Sequence, residues 1–304
     1  MNGFLVVDKP AGLTSHDVVN RLRRITGQKK AGHTGTLDPF ATGVLPVALG
    51  EATKAIPFLD ESIKVYRAVL RFGISTDTQD CTGTVIAERC WQHLVPEETA
   101  ALISSFVGEQ RQQPPMFSAL KHNGTPLYKL ARQGVTIERK LRDIIVHSID
   151  LEDLSLPDAT ITVQCSRGTY VRTIAHDIGE KAGCGAALSK LQRTKSGPFT
   201  IEHALSLEQI AALAVAGALN SRLVPMLDAL STLEEIALSA KGAASVSHGV
   251  LPEFEDMSTL PAGSLDPGSR VKLTTDGKLV AVAEITGEIS ANTSNFIRFL
   301  RVFN

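Results

Sequence analysis

Ala31-Gly32-His33-Thr34-Gly35-Thr36-Leu37-Asp38-Pro39-Phe40-Ala41-Thr42-Gly43 is the stretch from which the rest of the chain becomes readable. Gly32, Gly35 and Gly43, the small hydroxyls and Pro39 make a tight loop whose backbone can approach a ligand closely. Asp38 comes just before Pro39, which restricts its backbone to an extended conformation and aims the side chain. A carboxylate so held can be a nucleophile, a general base or a metal ligand, although a lone Asp-Pro more often makes an Asx-turn or a helix cap. Two motif readings fail here. Gly27-x-x-x-x-Gly32 matches the first part of a phosphate-binding P-loop, but His33 stands where the lysine must be, and Asp38-Pro39 interrupts the helix such a loop requires. The eight histidines contain no His-x-x-x-His pair, so no metal site is expected.

Working outward, Gly3 to Val7 reads as a short strand stopped by Asp8-Lys9-Pro10. Thr14-x-x-Asp17 looks like a capping box, Val18, Val19, Leu22 and Ile25 follow at helical spacing, and Gly27 ends the helix. Gly32 to Pro39 reads as irregular and Val44 to Leu49 as a buried apolar segment. Tyr66, Ala68, Leu70 and Phe72 alternate with more polar neighbours, which predicts a strand. Further strands are predicted at Thr84–Ala87, Ile144–Leu151 and Ala159–Cys165. Helices are predicted after Pro96, around Leu127–Gln133, from Val171 to Gly183 and from Ser206 to about Leu219. Strands and helices mix without βαβ regularity, so the fold class is α+β: a mixed, largely antiparallel sheet with flanking helices. A boundary is placed at 227–235, giving a domain at 1–230 and a small β-rich one at 236–304, with strands near 269–274, 278–285 and 295–303.

The bulk numbers exclude some classes. The longest apolar run, Ile210 to Leu219, is too short to span a bilayer, and Met1 to Pro10 lacks the basic start of a signal peptide. Cys81, Cys90, Cys165 and Cys184 lie far apart and read as free thiols, so a cytoplasmic location is expected. Net charge is −1, but residues 1–225 hold 25 Lys+Arg against 22 Asp+Glu, while 226–304 hold 6 against 10. Within 121–142, Lys121, Lys129, Arg132, Arg139, Lys140 and Arg142 face a single acid, Glu138. A local basic stretch in a neutral protein suits one particular folded nucleic acid better than general polyanion binding.

The loop around Asp38 resembles the catalytic motif of pseudouridine synthases, specifically the TruB family, which modifies the uridine at tRNA position 55 in the TΨC arm. Six further motifs resemble that family and occur in its order over residues 3–197. Asp8-Lys9-Pro10-x-Gly12-x-x-Ser15 is similar to its opening, Lys64-x-Tyr66-Arg67 to its base-stacking strand, and Thr76-Asp77-Thr78-x-Asp80-x-x-Gly83 to the following loop. Gln113-Pro114-Pro115-x-Phe117-Ser118-Ala119-x-Lys121 resembles the start of the family's RNA-contacting insertion, which would run over about 111–142. Cys165-Ser166-x-Gly168-Thr169-Tyr170-x-Arg172 and Leu191-x-Arg193 match the second and third active-site motifs. The C-terminal module resembles a PUA-type RNA-binding domain in outline, around His248-Gly249 and the later strands.

The resemblance implies an isomerase that turns uridine into pseudouridine by base flipping, with neither cofactor nor metal, acting as a monomer on the T arm of tRNA. It implies Asp38, Tyr66 and Arg172 as the catalytic set, with Arg172 expected to lower the Asp38 pKa by roughly 1–3 units. Tyr66 would stack on the flipped uracil, and Tyr170 and Leu191 would complete the pocket. His33 would fill or prop open the space the flipped nucleotides leave, and Lys9, Lys121 and Arg132 would contact RNA. Whether Asp38 adds to C6, attacks C1′ or starts elimination at C2′ is left open. Two rivals differ in outcome: a non-catalytic tRNA-binding or tRNA-folding protein is indifferent to Asp38, and a hydrolase using Asp38 and His33 cuts the strand or frees uracil.

Overall fold

The computed structural model describes residues 1–261, 265–287 and 296–303. Its strands begin with β1 (Gly3–Lys9), β2 (Ala31–His33), β3 (Thr42–Leu49), β4 (Ile63–Phe72), β5 (Ile74–Thr76), β6 (Val85–Glu88), β7 (Gly108–Gln112), β8 (Lys121–His122) and β9 (Thr125–Pro126). They continue with β10 (Arg142–Ser155), β11 (Asp158–Ser166), β12 (Ala186–Ser196), β13 (Phe199–Thr200), β14 (Glu234–Leu238), β15 (Met257–Thr259), β16 (Arg270–Thr275), β17 (Lys278–Ile285) and β18 (Ile297–Val302). The helices are α1 (Ser15–Thr26), α2 (Pro96–Ser104), α3 (Leu127–Ala131), α4 (Val171–Lys181), α5 (Leu207–Val215), α6 (Met226–Ala229) and α7 (Ala240–Ser247).

One nine-stranded sheet runs β1-β3-β12-β4-β11-β10-β7, with β2 added to β3 and β13 to β12. Only β3 and β12 pair in parallel within it, at Thr42–Gln192 and Gly43–Arg193. That junction brings the Asp38 loop, which leads into β3, beside residues about 150 positions further along. Gly43 has φ +95°, and a Cβ there would lie 2.3 Å from the Arg193 carbonyl oxygen, so only glycine permits the approach. The apolar run of β3 is a strand buried on both faces. Leu45, Val47 and Leu49 pack with Val18 and Leu22 of α1 and Ile174 and Ile178 of α4. Val44 and Ala48 pack with Phe4, Val6 and the C-terminal residues Leu279, Val282 and Phe303. Such double burial explains an apolar run without alternation.

Local chemistry fixes α1 as expected. Thr14 and Asp17 form both bonds of a capping box, and Gly27 closes the helix in the left-handed conformation. In β4, Tyr66, Ala68, Leu70 and Phe72 are buried, in agreement with the alternation.

Several readings need correction. Gly32 and His33, the start of the supposedly irregular loop, pair with β3 together with Ala31, because the three residues complete its open side. Strands β7 and β12 had no counterpart in the sequence reading. The helix beginning after Ser206 ends at Val215, and Gly217 with φ +68° separates it from a 3-10 turn at Leu219–Arg222. A second, five-stranded sheet runs β15-β14-β16-β17-β18 and starts at Glu234, within the 227–235 stretch where the boundary was placed. Strand β14 and helix α7 were unread within it, and residue 295 of the last expected strand lies outside the described residues. Among the described residues no helix is long and apolar enough to cross a membrane, and all four cysteines are free.

Candidate active site

The loop from Thr34 to Pro39 is held residue by residue by polar side chains from elsewhere. The Thr34 hydroxyl donates to Glu61 Oε1 at 2.6 Å. Buried Arg193 donates to the carbonyls of Gly35 and Thr36 at 3.3 Å, and to that of Val44 at 2.8 Å. Ser15 Oγ accepts from the Leu37 amide at 2.8 Å and donates to its carbonyl at 3.1 Å. The Lys9 ammonium, fully buried, donates to the carbonyls of Leu13, Pro10 and Pro39 at 2.7, 2.8 and 3.1 Å. Burying these polar groups is tolerable only because each finds a partner.

Asp38 is the most exposed charge of its cluster. Arg172, two positions into α4, lies with Nε 2.8 Å from Asp38 Oδ2 and Nη2 3.2 Å from Oδ1. It also donates to the Thr78 and Phe117 carbonyls at 2.7 and 2.9 Å, and its Nη1 is 3.6 Å from Asp80. The Arg172 and Asp80 side chains are 3% and 5% exposed, whereas Asp38 keeps 30%. The start of α4 is fixed by Gln112, whose amide accepts from the Tyr170 N–H at 2.8 Å and donates to its carbonyl at 3.0 Å.

The expected lowering of the Asp38 pKa is reversed. Burial pushes its carboxyl above the ordinary value, the Asp80 charge adds to this, and Arg172 and Lys9 offset it only in part. The physical reason is that one guanidinium neutralises two carboxylates in a partly dry site. Burial likewise lowers Lys9 to about 8 against the pull of Asp38, and raises the phenols of Tyr66 and Tyr170.

Asp38, Tyr66, Tyr170, Arg172 and Leu191 line one cavity of about 260 Å³. Four other expected residues do not. Lys9 is a correction: its ammonium is spent on backbone carbonyls beneath the loop and reaches no solvent-facing surface that RNA could touch. His33 lies in β2, half-buried, with Nδ1 buried and unpartnered in this structure, and burial holds its pKa below the ordinary value. Lys121 and Arg132 sit exposed on the 111–142 excursion, where Arg132 stacks over Tyr128 at 5.5 Å.

The sequence reading gave no individual role to Glu61, Lys64, Ser118, Arg167, Thr169 and Arg193, which line the same cavity. Lys64, Arg193 and Asp80 stand inside quoted motifs, which was the available signal, while nothing local marked Glu61. Among the described residues no group of three or more His, Cys, Asp or Glu side chains is placed to hold a metal ion.

The mixed, largely antiparallel sheet with its few flanking helices has the pseudouridine synthase fold. Solved structures share it. The chain superposes with TM-score 0.76 on a protein of the Cbf5-Nop10-Gar1 complex, at 28% identity over 99% of this chain and 85% of that one. It superposes with TM-score 0.77 on a chain from an H/ACA ribonucleoprotein bound to a substrate RNA containing 2′-deoxyuridine, at 26% identity over 99% and 85%. The chain belongs to the TruB family: residues 23–171 match the TruB family pseudouridylate synthase N-terminal domain. Residues 172–231 match the tRNA pseudouridylate synthase B C-terminal domain. It is 55% identical over the full length of both chains to tRNA pseudouridine synthase B of Geobacter sulfurreducens. To the protein of that name from Geotalea uraniireducens it is 53% identical, over 100% of this chain and 98% of the relative.

Proposed function

We propose that this protein isomerises a uridine of tRNA to pseudouridine, at position 55 in the T arm, with Asp38 as the catalytic carboxylate. The observation that carries the reading is the geometry of Asp38: partly exposed in a cavity, on a clamped loop, 2.8 Å from buried Arg172. The reaction breaks the C1′–N1 bond, turns the uracil and rejoins it through C5. All three routes, addition to C6, attack at C1′ or elimination at C2′, begin with an ionised carboxylate beside the nucleoside. Arg172 holds that charge without covering it, and also ties the Thr78 and Phe117 carbonyls to the site.

Reaching a stacked uridine requires flipping it out, which costs a few kcal/mol. Tyr66 offers a stacking face, and Tyr170 and Leu191 close the pocket around the detached base. The half-buried, weakly basic His33 suits a neutral wedge in the vacated stack better than a phosphate contact. Lys121 and Arg132 on the 111–142 excursion would meet phosphates, positioning the arm without reading its sequence. We read the chain as two units near the assigned boundary, the second a PUA-like module making a weak tRNA contact. The protein is taken to act as a monomer in the cytoplasm.

The test is release of tritium from C5 of uridine in labelled tRNA transcripts, comparing the wild type with Asp38→Asn. Release by the wild type alone, with both proteins binding tRNA, is the expected result. Binding by both without release by either would replace this reading with that of a non-catalytic tRNA-binding protein.

A further inference from the structure

A second buried charge cluster meets the loop at its first residue, Thr34. Glu61 Oε1 accepts from Thr34 Oγ1 at 2.6 Å, from Lys64 Nζ at 2.8 Å and from Ser196 Oγ at 3.1 Å; Lys64 Nζ also donates to Ser196 Oγ at 2.6 Å. All four residues are buried, and Lys64 and Ser196 are register partners across β4 and β12. Burial alone would raise the Glu61 pKa, yet Lys64, Thr34 and Ser196 more than offset it, so the carboxyl sits below its ordinary value and stays ionised.

A buried ion pair is an expensive way to hold a fold together, since apolar residues of the same volume often do as well or better. What an apolar pair cannot do is fix a hydroxyl in one direction. Thr34 is the first residue of the loop, and its hydroxyl is the loop's only side-chain bond to this cluster. From Thr34 the clamp passes to Gly35 and Thr36, held by Arg193, and so to Asp38. Glu61 and Lys64 also form part of the cavity wall without touching Asp38.

We propose that the Glu61–Lys64–Ser196 cluster is a positioning device that acts on Asp38 through Thr34, setting the rate of the chemical step and not the affinity for RNA. This rests on the functional reading above. Thr34→Val is the primary variant, because it removes the hydroxyl with little change of shape and leaves the buried charges paired. Glu61→Gln, which strands the Lys64 charge, is the second.

The measurement is single-turnover tritium release with saturating protein, together with tRNA binding and thermal melting. Thr34→Val is expected to slow release about ten- to a hundred-fold at full amplitude, with tRNA affinity within about twofold of the wild type. Thr34→Ser, which keeps the hydroxyl, is expected to restore the rate. Glu61→Gln is expected to slow release at least as much in whatever fraction remains folded. A merely structural role would reduce the amplitude while leaving the rate constant alone, and that result would overturn the proposal. So would equal rates for Thr34→Val and the wild type, equal slowing by valine and serine, or loss of tRNA affinity in step with rate. A wild type that releases no tritium overturns the functional reading and this inference together, whereas any of the other results with an active wild type overturns this inference alone.

Discussion

The loop at 34–39 and the excursion at 111–142 both face the same cavity, and they are built in opposite ways. Each loop residue from Thr34 to Pro39 has a polar side chain from another element bound to it, and most of those partners are buried. The excursion buries little beyond Gln112, Pro114, Pro115, Ser118 and Leu127, and exposes Val135 and Leu141. Its ties to the body run mainly through its first residues, with Gln112 on Tyr170 and the Phe117 carbonyl on Arg172. Arg139 bonds only the base of the same excursion, at Gln113 and Pro114. Under the proposed function, fixed geometry belongs where bonds are made and broken, and a segment proposed to contact a large, curved polyanion gains from remaining adaptable.

Changes at the clamp should cost rate, and changes on the excursion should cost affinity. The largest effect is expected for Arg172→Ala. Loss of the guanidinium leaves Asp38 and Asp80 facing each other unneutralised, slowing release by about 10²–10³-fold and destabilising the fold by about 3–5 kcal/mol, as read by single turnover and urea unfolding. Lys9→Met comes next. With the ammonium under Pro39 removed, release should slow about tenfold, while tRNA affinity and its salt dependence stay as they were. A salt slope reduced by about one would instead put Lys9 on a phosphate and blur the distinction between the two regions.

Titration of Asp38 gives a third test. Its pKa is raised in the folded protein, so the native state holds its proton to higher pH than the unfolded chain. Stability from this group is therefore present at low pH and is lost as pH rises through the folded pKa. Asp38→Asn should melt above the wild type at neutral pH, and the gap should close on acidification. The wild-type release rate should begin to fall, as pH is lowered, at a higher pH than an ordinary aspartate would give. The smallest effect belongs to Lys121→Ala with Arg132→Ala: affinity for tRNA weaker by a few-fold and a salt slope reduced by up to about two, at an unchanged melting temperature and unchanged single-turnover rate.

What could be read from the chain was whatever local chemistry decides. Thr14, Asp17 and Gly27 define α1 through bonds to their own neighbours, and β4 alternates cleanly because one face meets the core. Strand β12 is as central as β4 and was not seen. Its register slips at Leu188/Lys190 and Arg193/Lys195, and each bulge resets the alternation that would have marked it. Strand β7, Gly-Glu-Gln-Arg-Gln, carries no apolar residue at all and exists because β10 offers it a ladder. The same divide holds at the site. Asp38, Tyr66, Tyr170, Arg172 and Leu191 were named from motifs and meet at one cavity. The direction of the Asp38 shift was misjudged because burial of its carboxyl, the largest cause, and the nearby charge of Asp80, 42 positions away, arise only once the chain is folded. Lys9 was assigned to the wrong partner because its burial depends on loops closing over it.

The parallel pairing of Gly43 with Arg193 also has a bearing on biosynthesis. A chain emerging from the ribosome delivers the whole aspartate loop within its first 43 residues, but the strand that seats it is among the last parts of the main sheet to appear. Contacts of such long separation form slowly and late. Until residues 172 and 193 have been made, the nascent protein carries the Asp38 loop with neither of the arginines that hold it, so the proposed activity cannot begin through most of its own synthesis.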